Sequence, residues 1–223
     1  MLLLLFLFIL VVSYFFIEYE EDAQQCNRTL EHDGYCIVEP GKAIQQLPDY
    51  VFLDYEYHIK GTALSTFHRD VTSSQKIYHT VHPIYTLIVY DYEGELLSLC
   101  PRSHRDYPFV WSPIINYRGK RGTAFLFNCD VLHSGRENQC KYRNVTQYKL
   151  CHKEDVPTLS HLQNIRVIKD EKCVDSFYTR SIRKLSYYGQ LPINTWLYPL
   201  MIKKHDNWLG KIQNYIPISF YNN

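Results

Sequence analysis

Apolar and polar positions along the 223 residues fall into three textures. The first, LLLLFLFILVVSYFFI over residues 2–17, contains no charge. The second begins near Tyr50 and consists of short apolar runs separated by turn residues. YVFLDYEYHIKG alternates in places and stops on Gly61, and ALSTFH is a brief run ending on His68. PIYTLIVYDY, bounded by Pro83 and Glu93-Gly94, predicts the strongest strand of the chain. ELLSLC follows at once, so residues 84–100 are expected to form a hairpin. After the long loop PRSHRDYPFVWSPIINYRGKRG, TAFLFNCDVLHSG reads as a strand running into a turn, and YRNVTQYKLCH as an alternating strand. Short strands separated by turns, with no helical period between them, predict a mainly β fold, a sandwich or barrel of the jelly-roll kind. The third texture, from about Pro157, spaces apolar residues as flanking helices would in SFYTRSIRKLSYYG and LYPLMIKKHDNWLGKIQNYI, the latter interrupted by Pro199 and Gly210. The expected organisation is an N-terminal hydrophobic segment over 1–18, a lead-in over 19–48, the jelly-roll domain over 49–155 and a C-terminal extension over 156–223 packed on it.

Composition narrows the function classes. Lysine and arginine number 24 against 23 acidic residues, a net charge of +1 that offers no electrostatic footprint for nucleic acid. The 20 tyrosines and 11 phenylalanines suit half-buried pleated surfaces. The seven cysteines form no CxxC pair, which argues against a zinc ribbon or a redox motif. Asn27 and Asn144 open N-x-T sequons that a secretory lumen would glycosylate. No basic residue precedes the N-terminal apolar run, and only Ala23 offers a small cleavage-site residue. An uncleaved membrane anchor therefore fits better than a signal peptide, with Tyr14 and Tyr19 placed for an interface. The expected localisation is membrane-anchored and single-pass, with the rest of the chain lumenal or extracytoplasmic, or secreted if the segment is cleaved.

The candidate chemistry starts at His68-Arg69-Asp70, a triplet repeated at His104-Arg105-Asp106. A protein-kinase catalytic loop would need Asn five residues after the aspartate, and position 75 is Gln; no glycine-rich phosphate loop or DFG occurs. A histidine and an aspartate two apart on extended chain point to the same side, so both can reach one metal. Non-haem iron(II) oxygenases use two histidines and one carboxylate and leave positions open for cosubstrate and oxygen. His133, at a strand edge far downstream, supplies the second histidine, whereas His104 sits in a loop. A dicarboxylate cosubstrate would also need a buried cation, and arginine grips a carboxylate through two parallel bonds. Arg143 on the next strand is placed for it; Arg136 is the rival.

HRD, then GELLSLCPRSH, then GTAFLFNCDVLHSGREN and the following arginine stand in order over about residues 60–150. Together they resemble the Fe(II)/2-oxoglutarate-dependent dioxygenases, in particular the phytanoyl-CoA dioxygenase-like branch. One departure is Arg102, where that branch usually has glycine. The resemblance implies a double-stranded β-helix, related to cupins, with His68, Asp70 and His133 as metal ligands and Arg143 as cosubstrate anchor. It implies Fe(II), 2-oxoglutarate and O2, with ascorbate as a candidate reductant, and hydroxylation of a small-molecule, lipid or protein side-chain substrate with release of succinate and CO2. Tyr78 and Thr80 are further candidates for cosubstrate contact, Trp111 for the pocket wall, and the loop over 101–122 for the substrate entrance. Other readings remain at this level: His68 and Asp70 as a surface ion pair, a cupin-like site for another metal, or a non-catalytic membrane-anchored jelly roll serving in binding or structure.

Overall fold

The computed structural model describes residues 2–16, 20–22, 27–62, 65–136, 143–172 and 176–198. Its strands are β1 (Glu20–Asp22), β2 (Tyr35–Val38), β3 (Tyr50–Thr62), β4 (Tyr85–Tyr90), β5 (Gly94–Leu99), β6 (Ile114–Gly119), β7 (Ala124–Asn128), β8 (His133–Gly135), β9 (Asn144–His152) and β10 (Ile165–Lys172). They form a smaller sheet in the order β1-β6-β5-β8 and a larger one in the order β10-β3-β9-β4-β7-β2. From β3 onward the chain winds between the two. β3, β4, β7 and β9 lie in the larger sheet, while β5, β6, β8 and the stretch ending at His68 lie in the smaller. This alternation is jelly-roll-like, as the short-strand pattern predicts.

The core sits between the sheets. Ile88 and Tyr90 from β4, Phe125 and Phe127 from β7 and Val145 from β9 pack against Leu97 and Leu99 from β5 and Tyr117 from β6. The other face of the larger sheet is covered as well. There Leu87, Leu126 and Leu150 meet Ala43 and Leu47 from two short 3-10 turns ahead of β3. Burial on both faces explains why β4 is almost continuously apolar. It also explains why the lead-in is part of the fold: β2 pairs with β7, and the turns after it seal the outer face.

The hairpin expected over residues 84–100 does not form. β4 pairs with β7 and β9, and β5 with β6 and β8. The turn at 91–93 instead carries the chain from one sheet to the other, so that Ile88 and Leu97 meet across the core rather than side by side.

At the N-terminus, α1 (Leu2–Phe16) is a 15-residue helix. At ~1.5 Å per residue it is ~22 Å long, short of the ~30 Å apolar layer of a bilayer. No helix among the described residues is long and apolar enough to cross a membrane. Two further helices, α2 (Leu30–Asp33) and α3 (Gln75–Tyr78), are single turns. At the other end, β10 extends the larger sheet in parallel with β3. α4 (Phe177–Tyr188), opened by a Ser176–Thr179 capping box, is the first of the two expected flanking helices, and it sets Tyr187 against Phe67 and Leu132. Residues 199–216 of the second lie outside the described residues.

Arg102 stands at φ 65°, the left-handed region where a side chain is strained and glycine is not. Its N–H donates to Asp33 O at 2.9 Å, so the turn is fixed whichever residue occupies it. Arg102→Gly is expected to stabilise the fold by ~1 kcal/mol, read as a higher urea midpoint.

Candidate metal centre

The two histidines are brought together by backbone pairing. His68 N–H donates to His133 O at 2.9 Å and His133 N–H to His68 O at 3.0 Å. Residues directly opposed in this way present their side chains on one face. The imidazole centroids lie 4.5 Å apart. Each ring has its Nδ1 against a carbonyl: His68 at 2.8 Å from Thr66 O, His133 at 2.9 Å from Val131 O. A carbonyl only accepts, so Nδ1 is the donor in both rings and Nε2 is the nitrogen turned to the site. His133 Nε2 is buried with no hydrogen-bond partner among the described residues. Asp70 follows His68 by two residues, its N–H held by Cys129 O, with Oδ1 3.6 Å from that same Nε2. One donor atom from each of His68, Asp70 and His133 lies within 4.8 Å of the others. Two imidazoles and a carboxylate fit a divalent first-row metal, and the orphaned Nε2 is the atom such an ion would satisfy.

The second oxygen of Asp70 is already occupied. Oδ2 accepts from Thr86 Oγ1 at 2.5 Å and from Lys149 Nζ at 2.6 Å. Thr86 on β4 and Lys149 on β9 are cross-strand partners, and Lys149 is 1 % exposed. Burial alone would push the Asp70 carboxyl up. The Lys149 ammonium, and after it the two imidazoles, outweigh that and hold it below the usual carboxylate range. The acid is thus ionised and offers Oδ1.

His133 is shifted the other way: burial first, then His68, push its imidazole down to about 4. The unfolded chain protonates this histidine near pH ~6.5. Between the two values unfolding takes up a proton, so stability present above pH ~6.5 is lost as the pH falls, by up to about 3 kcal/mol near pH 4. Urea unfolding of metal-free protein at neutral and acid pH should show this slope, and His133→Gln should flatten it.

The three side chains line a cavity of about 900 Å³ whose walls include Tyr55, Tyr57, Ile88 and Val145. Arg143 lines the same cavity and is 4 % exposed. It stands one residue before β9, on the face that also carries Val145, Gln147 and Lys149 by strand alternation. Its Nε donates to Tyr92 Oη and its Nη1 to Gly61 O, each at 3.2 Å. The rival cation, Arg136, is paired with Glu95 at 2.8 Å and does not line the cavity.

With this geometry in hand, comparison with known proteins gives the following. No family model matches the chain, and no curated protein matches it. Solved structures similar to it include the non-heme alpha-ketoglutarate-dependent epimerase SnoN from nogalamycin biosynthesis, at 12% identity and TM-score 0.42, covering 55% of this chain and 79% of that one. HygX from Streptomyces hygroscopicus, with nickel and 2-oxoglutarate bound, matches at 11% identity and TM-score 0.37, covering 56% and 84%. A 2OG-Fe(II) oxygenase-family oxidoreductase from Burkholderia pseudomallei matches at 13% identity and TM-score 0.32, covering 43% and 41%. Similarity at this level assigns neither activity nor substrate; those rest on the side chains.

Several sequence expectations fall elsewhere. Tyr78 and Thr80 do not line the cavity. Ser74 opens the turn of α3 instead of a strand facing the metal site. Tyr78 then stacks on His161 at 4.5 Å, and Thr80 Oγ1 donates to His82 O. Trp111 is 77 % exposed and stacks on Phe109, outside the cavity. No residue of the loop over 101–113, or of β6 and the turn after it, lines it either. That loop is pinned to the flank by Arg69, the spacer of the first HRD. Arg69 is 2 % exposed and donates to Asp130 O, Ser103 O, Phe109 O and Gln190 Oε1. The second HRD lies in the same loop, and its His104 packs on Gly34, where a Cβ would stand 2.4 Å from Nδ1. The cavity wall also includes residues of β10 together with Ile193, Leu197 and Tyr198. Thr86 and Lys149 went unnoticed in the sequence. The available signal was a lysine on the buried face of an alternating strand, six residues after Arg143.

Proposed function

We propose that this chain is an Fe(II)- and 2-oxoglutarate-dependent oxygenase that hydroxylates its substrate and releases succinate and CO2. The observation that carries the reading is the convergence of two imidazoles and one carboxylate oxygen in a cavity that also contains a buried guanidinium. Iron bound there would supply oxidative decarboxylation of 2-oxoglutarate coupled to insertion of an oxygen atom into the substrate. His68, Asp70 and His133 would hold it. Lys149 and Thr86 keep Asp70 ionised and restrict it to one free oxygen. Arg143 would take the far carboxylate of 2-oxoglutarate, a use that a metalloprotein without a dicarboxylate cosubstrate does not have. The aromatic and aliphatic walls would exclude water from the reacting centre, and they suit an organic substrate: a small molecule, a lipid or a protein side chain. Ascorbate fits as the reductant that restores iron(II).

The localisation belongs to the same proposal. Leu3, Leu4 and Phe8 of α1 are more than half exposed, which supports a membrane-associated enzyme, and the Asn27 and Asn144 sequons support a lumenal or extracytoplasmic catalytic domain.

The test is anaerobic titration of the protein with Fe(II) and then 2-oxoglutarate, followed by the weak visible charge-transfer band of the chelate. A band that needs both additions, with succinate formed once oxygen enters, is the expected result. A folded protein that gives no band and retains no iron would rule the reading out. Arg143→Ala should raise the KM for 2-oxoglutarate by about 30-fold or more while iron binding is kept, because it removes one partner of a buried charge pair worth at least ~2 kcal/mol. An unchanged KM would exclude Arg143 as the anchor.

A further inference from the structure

The opposite face of the larger sheet carries a second cluster of metal-ligating type, formed by His82, His152 and Glu154. Along β9, Lys149 turns toward Asp70, whereas Leu150 packs on Ala43 and Leu47 outside the sheet. His152 follows Leu150 by two residues and so shares its outer face. His82 arrives from the loop just ahead of β4. The β4–β9 register, which sets Tyr85 against Leu150, brings it alongside His152. The two imidazole centroids lie 3.8 Å apart. Glu154 Oε2 is 3.4 Å from His82 Nε2 and 3.9 Å from His152 Nδ1. His82 Nε2 is within hydrogen-bond reach of the Glu154 carboxylate, and His152 Nδ1, which accepts from the Glu154 backbone N–H at 3.4 Å, lies beside the same oxygen.

The scaffold holds the imidazoles there. Buried Asp155 accepts the N–H groups of Val81 and His82, each at 2.9 Å, which fixes the loop. Tyr50, the cross-strand partner of His152, packs edge-on against its ring. Glu154 is largely exposed and closes the set from the solvent side.

We propose that His82, His152 and Glu154 form a second, independent divalent-metal site of the zinc class, with water completing the coordination. Two nitrogens and one carboxylate oxygen favour Zn(II), Co(II) or Ni(II) over the all-oxygen cations Mg(II) and Ca(II). The bound ion would staple the loop ahead of β4 to the end of β9, the two strands whose Thr86 and Lys149 back Asp70.

The experiment is a titration of the full chain with Zn(II), and in parallel with Co(II) read by its visible spectrum. Wild type is expected to bind two equivalents, and His133→Ala, which disables the triad, to keep one. Adding His82→Ala to that background should weaken the remaining equivalent by about 100-fold or more, the least expected when a direct ligand is lost. Zn(II) should raise the Tm of His133→Ala and leave that of the double variant unmoved. Glu154→Gln, a surface change that leaves the fold intact, should also weaken the His133-independent equivalent. No equivalent in His133→Ala, or one that persists undiminished in both second-site variants, would overturn the proposal. Loss of the His133-dependent equivalent alone bears on the oxygenase reading and not on this site.

Discussion

His133→Ala is expected to lower Fe(II) affinity by at least about 100-fold and to reduce 2-oxoglutarate consumption to background, since the variant deletes one of three ligands. The lost atom is the buried Nε2 that has no hydrogen-bond partner among the described residues. Its removal therefore takes away a desolvation penalty as well as a ligand. The imidazole also packs on Phe127 with centroids 4.6 Å apart, so truncation leaves a void. With these two effects opposed, destabilisation of the metal-free fold should stay near ~1–2 kcal/mol. Equilibrium dialysis against Fe(II), beside a thermal melt, separates ligand loss from fold loss. Asp70→Asn serves as the shape-conserving companion: it keeps a carbonyl oxygen at the site but removes the charge. A folded His133→Ala protein that still binds iron with unchanged affinity at the triad would remove this residue from the metal centre.

Lys149→Met should have the largest effect on stability. It removes the ammonium from a carboxylate that stays buried, and breaking a buried pair on one side costs about 3–5 kcal/mol. Thr86 Oγ1 remains as a neutral donor to Asp70 Oδ2. The carboxyl then loses its principal counter-charge and its pKa should rise. Two measurements identify the cause. A divalent ion at the triad replaces the missing positive charge, so the stability deficit should shrink in Fe(II) or Zn(II). Asp70→Asn in the Lys149→Met background removes the stranded charge, so the double variant should be more stable than Lys149→Met alone. Additive effects of the two substitutions would mean that Lys149 acts through packing against Tyr55 rather than through Asp70.

The local pattern of the chain specified a good deal. Turn-bounded apolar runs predict the β-rich fold because alternation and two-faced burial write themselves directly into residue order. The spacing of His68 and Asp70 predicts a shared face because extended chain has a period of two. The helical spacing of residues 177–188 predicts α4 for the matching reason at 3.6. These are one-dimensional consequences of backbone geometry, and they need no partner strand.

Which strand meets which is a different kind of fact. The run from β4 to β5 has the local signature of a hairpin, yet the two strands lie in different sheets, and Ile88 and Leu97 meet across the core. Tyr78 and Thr80 are expected on a strand facing the metal, but a single helical turn at α3 sets them away from the metal site. Arg143 is the first candidate in sequence and Arg136 its rival; tertiary packing commits Arg136 to Glu95 and Arg143 to the cavity. Lys149 takes its meaning from Asp70, 79 residues earlier, and His152 takes its own from His82 on the far face of the same sheet. The sequence determined the residue types and the faces on which they stand. The tertiary structure alone decided which faces meet, because burial and charge pairing are settled between segments distant along the chain.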